Sequence, residues 1–396
     1  MNIKLGVIFG GVSVEHEVSI ISAVQAMQAL DKEKYDIIPI YITKDRQWYT
    51  GEILKDMETY TDMDLLKRYT SNVSLINKKG KFYLQSKGLF KHIVTELDLI
   101  LPVCHGTNME DGTLQGYLQT VGIPYCESDV ASSSVAQDKV TQKLVFQSKN
   151  LPMTAFTWFY DTDYSETPEE ILKECAKLKY PLIVKPATLG SSVGINFAKD
   201  ETELKSAIEE AISYDKKILV EHAVENLSEV NISVLGDYKY QDVSCIEEVT
   251  TAHHLLTYAD KYIGNAKNTP SKGMASLGRK VPAKLDKKIQ NEVESVAVKA
   301  FKAVGLSGVC RIDFLIDQND NKVYINEINS IPGSLSFYLW EPKGKKYREL
   351  LDEIIKIGIK NYQENSKKVH SFESNILEGY KNGAKGGKFG CKGSKF

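Results

Sequence analysis

The chain has 396 residues, 42% of them hydrophobic and 26% charged, which is room for two or three domains of the commonest size, about 100–150 residues. Its formal net charge of −2 argues against a surface built for nucleic acid, and no apolar run approaches the roughly 20 residues of a membrane-spanning helix. The six cysteines are scattered with no C-x-x-C pair, which fits reduced thiols in a cytoplasmic protein better than disulfides or a zinc site.

Ile3 to Phe9 reads as a buried first strand rather than a signal peptide, because it runs straight into Gly10-Gly11-Val12-Ser13. A helical pattern from Glu17 to Leu30 and an apolar strand, Ile37 to Ile42, complete a β-α-β unit. Leu97 to Cys104 is a further strand, ending in His105-Gly106-Thr107, with a helix beginning near Thr113. Polar residues at the carboxyl end of a parallel strand stand where open α/β sheets bind ligands. Residues 1–127 therefore read as an N-terminal α/β domain with a parallel, Rossmann-like sheet.

Residues 137–150 carry a helical pattern, and a second helix covers 168–178. Strands at 182–185, 194–197 and 218–221, with an amphipathic helix at 201–213, make residues 128–222 a small subdomain around a Gly/Ser loop. Residues 223–364 carry strands at 230–235, 241–249, 309–316 and 323–328 and helices near 285–304 and 347–361, a second subdomain. Residues 365–396 differ. From Gly379 onward glycine and lysine alternate, which leaves too little apolar side chain to bury, so the segment reads as a disordered tail.

Four stretches carry chemistry. In Arg311-Ile312-Asp313-Phe314 and Glu327-Ile328-Asn329, strand alternation puts Arg311 and Asp313 on one face, and Glu327 and Asn329 on one face. If the strands pair through the polar turn Asp317 to Asn321, one surface gathers hard oxygen ligands suited to Mg²⁺. The alternative is a solvated hairpin face with ordinary cross-strand charge pairs. Lys185 ends an apolar strand and leads into Pro186 to Gly194, where Gly190, Ser191 and Ser192 would let backbone N–H groups approach phosphate, although a plain solvent loop fits too. Asp138-Lys139 opens the preceding helix and could add a second lysine. Glu221, at a strand end, and Glu229, before the next strand, could read adenine and ribose. A cap or hinge carboxylate fits Glu221 equally well. Glu15, beside the glycine turn, could hold an ammonium, the alternative being an acid favoured by the helix dipole.

Together these motifs resemble the D-alanine–D-alanine ligase family of the ATP-grasp fold over residues 3–362. They appear in family order: Gly-Gly-x-Ser-x-Glu-x-Glu-Val-Ser at 10–19, His-Gly at 105–106 with Glu-Asp-Gly at 110–112, Gln-Gly at 115–116, Asp-Lys at 138–139, the loop 185–194, Tyr-x-x-Lys-Tyr at 258–262, Arg-x-Asp at 311–313, and Glu-x-Asn-x-x-Pro-Gly at 327–333. The resemblance implies an N-terminal domain followed by a two-part ATP-grasp fold. It implies ligation of two D-alanines through an acylphosphate for peptidoglycan, with D-serine as an alternative acceptor.

By the same resemblance, ATP would meet Lys139, Lys185, Ser191, Ser192, Glu221, Glu229 and Lys261. Two Mg²⁺, or Mn²⁺, would sit on Asp313, Glu327 and Asn329. Arg311 and the Gly333 N–H would stabilise the tetrahedral intermediate, and Glu15, Ser191 and Tyr262 would close the site. Glu15 and His105 would hold the first substrate. Lys261, with Ser334, Ser336 or Tyr338, would take the second. A mobile closing loop is expected over 262–282, and a homodimer through the first domain. The chain departs from the pattern at Met109, where glycine is usual, at Glu127 and Asp129, where residues are small, and at Tyr338, where a serine is usual.

Overall fold

The fold was analysed in a computed structural model that describes residues 2–249 and 279–371. Lys261 and Tyr262, most of the expected closing loop and the Gly/Lys tail from Gly379 lie outside the described residues. Three sheets organise the rest.

The first sheet holds β1 (Ile3–Gly10), β2 (Tyr35–Ile42), β3 (Trp48–Thr50), β4 (Ser71–Lys78), β5 (Lys81–Ser86), β6 (Ile93–Leu97) and β7 (Leu99–Pro102), in the order β6-β5-β4-β3-β2-β1-β7. β1 pairs in parallel with β2 and β7. A strand flanked in parallel on both sides is covered on both faces, and Leu5, Val7, Ile8 and Phe9 are all fully buried. That explains why β1 reads as a continuous apolar run rather than an alternating one. The strand expected at 97–104 is the shorter β7, with Leu97 ending β6; at Asp98 between them the carboxylate accepts the Lys4 backbone N–H at 2.8 Å and the backbone N–H donates to the Lys4 carbonyl at 2.9 Å. β1 ends at Gly10 and Gly11, with φ of +88° and +92°. A Cβ on Gly10 would lie 2.2 Å from the Ile42 carbonyl oxygen, so the turn needs glycine for space as well as for dihedral. Glu15 then stands at the head of the helix His16–Ala29.

The second sheet is antiparallel and holds β8 (Phe156–Tyr160), β9 (Leu182–Pro186), β10 (Asn196–Ala198) and β11 (Lys217–His222), in the order β10-β9-β11-β8. The helix Glu201–Ile212 buries Leu204 and Ile208 against Leu182, Val184 and Val220. The helix expected over 137–150 begins at Lys139. Asp138 breaks it from a separate helix, Val130–Gln137, and caps it by accepting the Thr141 N–H at 2.9 Å.

The third sheet holds β12 (Leu227–Gly236), β13 (Gln241–Val243), β14 (Glu247–Val249), β15 (Arg279–Lys280), β16 (Gly308–Asp317) and β17 (Lys322–Asn329), in the order β15-β14-β12-β16-β17, with β13 beside β12. Its two faces differ sharply. Ile312, Phe314 and Ile316 pack with Val293, Val296, Ala300 and Phe301 of the helix Lys287–Val304. Arg311, Asp313 and Leu315, the alternate set, line a cavity. Among the described residues no helix is long and apolar enough to cross a membrane.

Candidate active site

A cavity of about 650 Å³, within the usual size range of ligand sites, lies between the cavity-facing side of the third sheet, the edge of the second sheet and the carboxyl ends of β1 and β7. Its floor is the β16–β17 hairpin. Arg311 lies opposite Asn329 and Asp313 opposite Glu327. The Arg311 guanidinium grips Asp313 through two parallel hydrogen bonds, Nε to Oδ1 and Nη2 to Oδ2, each 2.7 Å. Asn329 Nδ2 donates to the same Asp313 Oδ2 at 3.3 Å. The Lys139 ammonium stands 3.3 Å from Glu327 and donates to the Leu189 carbonyl at 2.7 Å.

The hairpin also carries a register shift between Asp313 and Phe314, where one extra residue enters β17. The bulge turns Asn326 into the cavity beside Glu327, and Lys185 Nζ donates to its Oδ1 at 3.0 Å. Strict alternation places Asn326 on the opposite face, so sequence reasoning missed it. Among the described residues no group of three or more His, Cys, Asp or Glu side chains is placed to hold a metal ion. The donor set Asp313, Glu327 and Asn329 still fits a hard cation. It offers two carboxylates and an amide oxygen on adjacent strands, the partial oxygen shell that Mg²⁺ shares with substrate phosphates.

Behind the floor is a buried charge network. Glu221 is 3% exposed, with Lys143 at 2.5 Å, Lys185 at 2.6 Å and the Thr154 hydroxyl donating at 2.6 Å. Burial pushes the Glu221 carboxyl up, and the two ammonium groups outweigh it and hold it well below the usual carboxylate range. Burial lowers Lys143 despite Glu221. Lys185 is also pulled down by burial but ends above its ordinary value because Glu221 and Glu327 both face it. Lys143 was not foreseen, although it lies four residues after Lys139, a spacing that puts both on one helix face.

The Gly/Ser loop closes the opposite wall. Ser191 and Ser192 have φ of +56° and +59°, and the Ser191 hydroxyl donates to Glu15. This contact joins the second sheet's loop to the first sheet's glycine turn. Asp215 anchors the loop's start by accepting both the N–H and the hydroxyl of Thr188 at 2.8 Å.

At the edge of the first sheet, His105 Nδ1 donates to the Ile331 carbonyl at 2.8 Å, which leaves Nε2 to accept from the Ser22 hydroxyl at 2.9 Å. Burial lowers the imidazole, in keeping with this neutral tautomer. Ser22 Oγ in turn accepts the Ser334 N–H at 2.8 Å. Glu110 accepts the Gly106 N–H at 2.8 Å and the Ile331 N–H at 3.2 Å. Burial, reinforced by the Glu15 carboxylate, raises Glu110 to about 8. Glu110 belongs to a motif visible in the sequence. Its service as a strut between the first sheet and the Ile331-Pro332-Gly333 turn is a long-range fact.

Of the expected residues, Glu15, His105, Lys185, Ser191, Ser192, Glu221, Glu229, Arg311, Asp313, Glu327, Asn329 and Gly333 all line this one cavity. Lys139 lies just behind it, on Glu327. Ser334, Ser336 and Tyr338 do not line it. Residues 334–336 turn with φ of +50°, +52° and +52°, and that left-handed curl carries the chain away from the wall. Ser334 donates to Gln25 at 2.7 Å, Ser336 is fully buried, and the Tyr338 hydroxyl donates to Glu247 at 3.2 Å. Arg279, which no motif pointed to, does line the cavity.

Two family models match the chain, "D-ala D-ala ligase N-terminus" over residues 4–128 and "D-ala D-ala ligase C-terminus" over residues 145–356. A protein of Thermosipho melanesiensis named D-alanine–D-alanine ligase is 38% identical, the match covering 95% of this chain and 98% of that protein. One of the same name from Caldicellulosiruptor bescii is also 38% identical, covering 92% and 97%. Among solved structures, the D-alanine–D-alanine ligase of Coxiella burnetii superposes with a TM-score of 0.77 at 28% identity, covering 92% of this chain and 96% of that one. The VanG D-Ala:D-Ser ligase of Enterococcus faecalis superposes with a TM-score of 0.75 at 30% identity, covering 90% and all of that chain.

Proposed function

The chain belongs to the D-alanine–D-alanine ligase family, and from that premise we propose how its residues carry the reaction. It is an ADP-forming ligase of the ATP-grasp fold that joins two D-alanines for peptidoglycan, converting ATP to ADP and phosphate. The observation that carries the reading is the Arg311–Asp313 pair set against Glu327 and Asn329, facing Lys185 and the Ser191 loop across one cavity.

In this assignment Lys139 and Lys185 hold the ATP phosphates, and Ser191 and Ser192 close over them. Glu221 and Glu229 face adenine and ribose. Asp313, Glu327 and Asn329 hold Mg²⁺, which when bound neutralises charge on the transferred phosphoryl group. Glu15, 9% exposed and tied to Ser191, takes the donor ammonium, with the neutral His105 beside the donor carboxylate. A donor carboxylate oxygen displaces ADP from the γ-phosphorus to give an acylphosphate. The acceptor amine then adds to the acyl carbon, the C–N bond forms, and phosphate leaves. Arg311 and the Gly333 N–H face the oxyanion of that addition, a role worth about 3–4 kcal/mol per donor. Asp313 suits Arg311 to the task, because a two-point grip fixes the guanidinium before charge develops. The roles expected of Lys261 and Tyr262 rest on the family resemblance, as do a homodimer and a cytoplasmic location.

The test is product analysis by mass with ATP, Mg²⁺ and D-alanine, alone and mixed with D-serine. D-alanyl-D-alanine as the main product supports the assignment. Turnover only in the mixture would move the acceptor to D-serine, the substrate printed for the VanG relative.

A further inference from the structure

Ser22 lies in the middle of the helix His16–Ala29 and is 1% exposed. Alanine forms helix better there, and a buried hydroxyl needs partners. Ser22 has two. Its Oγ accepts the Ser334 N–H at 2.8 Å, and its own O–H goes to His105 Nε2 at 2.9 Å. A backbone N–H only donates and a backbone carbonyl only accepts, so the direction of the chain is fixed: Ser334 N–H to Ser22, Ser22 to Nε2, and Nδ1–H to the Ile331 carbonyl at 2.8 Å. Three residues along the same helix face, Gln25 Oε1 accepts the Ser334 hydroxyl at 2.7 Å. Glu110 takes the Ile331 N–H at 3.2 Å.

These bonds bracket Pro332-Gly333 from both sides. The residues that follow need the support. Ser334, Leu335 and Ser336 are three successive non-glycine residues at left-handed φ, a conformation that L-residues disfavour and that persists only where the surroundings enforce it. Those surroundings come from the first sheet and its helix. Ile331, Leu335 and Leu339 pack in one core with Leu5, Val7 and Val24. Gly333 itself is half-buried between buried neighbours and opens on the cavity. Among the described residues no acceptor meets the Gly333 N–H, whereas the N–H groups of Ile331, Ser334 and Leu335 go to Glu110, Ser22 and the Pro332 carbonyl. The turn thus presents one donor to the cavity, and groups on the helix His16–Ala29 set where that donor points.

We propose that Ser22 and Gln25 are positioning residues for the second chemical step: they hold the Gly333 N–H on the developing oxyanion, and so govern amine addition rather than phosphoryl transfer. The proposal rests on the ligase reading above, which makes Gly333 an oxyanion donor. Neither Ser22 nor Gln25 is among the residues that line the cavity, so both act through the turn. Ser22 also ties the turn to His105, the group placed beside the donor carboxylate. Gln25 touches the turn and not His105.

The experiment separates the two steps in the full chain with Mg²⁺, D-alanine and ATP labelled with heavy oxygen at the β,γ-bridge. When the acylphosphate forms and returns to ATP, the label moves to the other β-phosphate oxygens, so scrambling reports phosphoryl transfer and dipeptide reports amine addition. Losing an oxyanion donor outright costs roughly 100- to 1,000-fold, and displacing it costs less, so Ser22→Ala should raise the ratio of scrambling to dipeptide by roughly tenfold or more. Gln25→Met, which removes one weaker anchor, should raise it roughly threefold, and it decides the matter if Ser22→Ala does not fold. A merely structural role would lower both rates together and leave the ratio alone. A ratio equal to that of wild type in Ser22→Ala, or failing that in Gln25→Met, would overturn the proposal. So would a ratio that falls, which would move Ser22 to donor binding through His105. Absence of any dipeptide from wild type would instead sink the ligase reading and is seen before any variant is made.

Discussion

Replacing Glu221 by glutamine tests whether the network behind the floor is a balanced ion cluster. Wild type holds one carboxylate between two ammonium groups at 2.5 and 2.6 Å, with side chains 4%, 2% and 10% exposed. Glu221→Gln leaves Lys143 and Lys185 facing each other across a neutral amide. Removing one member of a buried pair typically costs about 3–5 kcal/mol, a large part of a total stability of about 5–15 kcal/mol. Lys143→Met should cost less, about 1–3 kcal/mol, because Glu221 keeps Lys185 and the Thr154 hydroxyl. The cost of Glu221→Gln should also depend on pH with a definite sign. Burial already lowers Lys143, and without Glu221 the neighbouring Lys185 lowers it further. A lysine whose folded value lies below its unfolded value binds fewer protons when folded, so stability rises with pH. Glu221→Gln should therefore recover toward wild type as the pH rises toward the ordinary lysine range, because Lys143 sheds its proton before an unfolded-state lysine does. Urea midpoints at three pH values measure this, with ATP affinity alongside. A Glu221→Gln variant less destabilised than Lys143→Met, or one whose deficit grows with pH, would refute the reasoning.

Glu327→Gln should cut ADP release by at least roughly 100-fold with an unchanged melting temperature, since it weakens a metal-binding carboxylate at a cavity wall; near-normal release would remove Glu327 from the metal site. Gly10→Ala should destabilise by more than the roughly 1–2 kcal/mol of a left-handed alanine, because its Cβ would also meet the Ile42 carbonyl at 2.2 Å. Thermal melts check this, and a loss under 1 kcal/mol would contradict it. Glu110, raised to about 8 against an unfolded value near 4.3, binds more protons folded than unfolded across that window, so it makes stability fall as pH rises from about 5 to 8. Glu110→Gln should flatten that slope, and melts that decline as steeply as those of wild type would count against the buried acid.

Much of this protein was legible in the sequence because the relevant signals are local. Strand alternation alone put Arg311 with Asp313 and Glu327 with Asn329, and the pairing of β16 with β17 keeps those sets on the cavity side. The continuous apolar run of β1 and the glycine turn after it marked a parallel strand ending at a ligand edge, and Glu15 and His105 line the cavity there. Each of these depends on a period or a turn that a few neighbouring residues dictate.

Tertiary structure decided the rest. One inserted residue in β17 reversed the facing of Asn326, and a bulge leaves no mark in an alternating pattern. Lys143 and Glu221 are 78 positions apart, and only the packing of the helix Lys139–Ser148 under the second sheet makes them an ion pair. Tyr338 stood at a position where a hydroxyl would meet substrate, yet the left-handed turn before it swings the phenol onto Glu247. Burial of charge is governed by which distant partner arrives to compensate it, and no local spacing encodes that arrival.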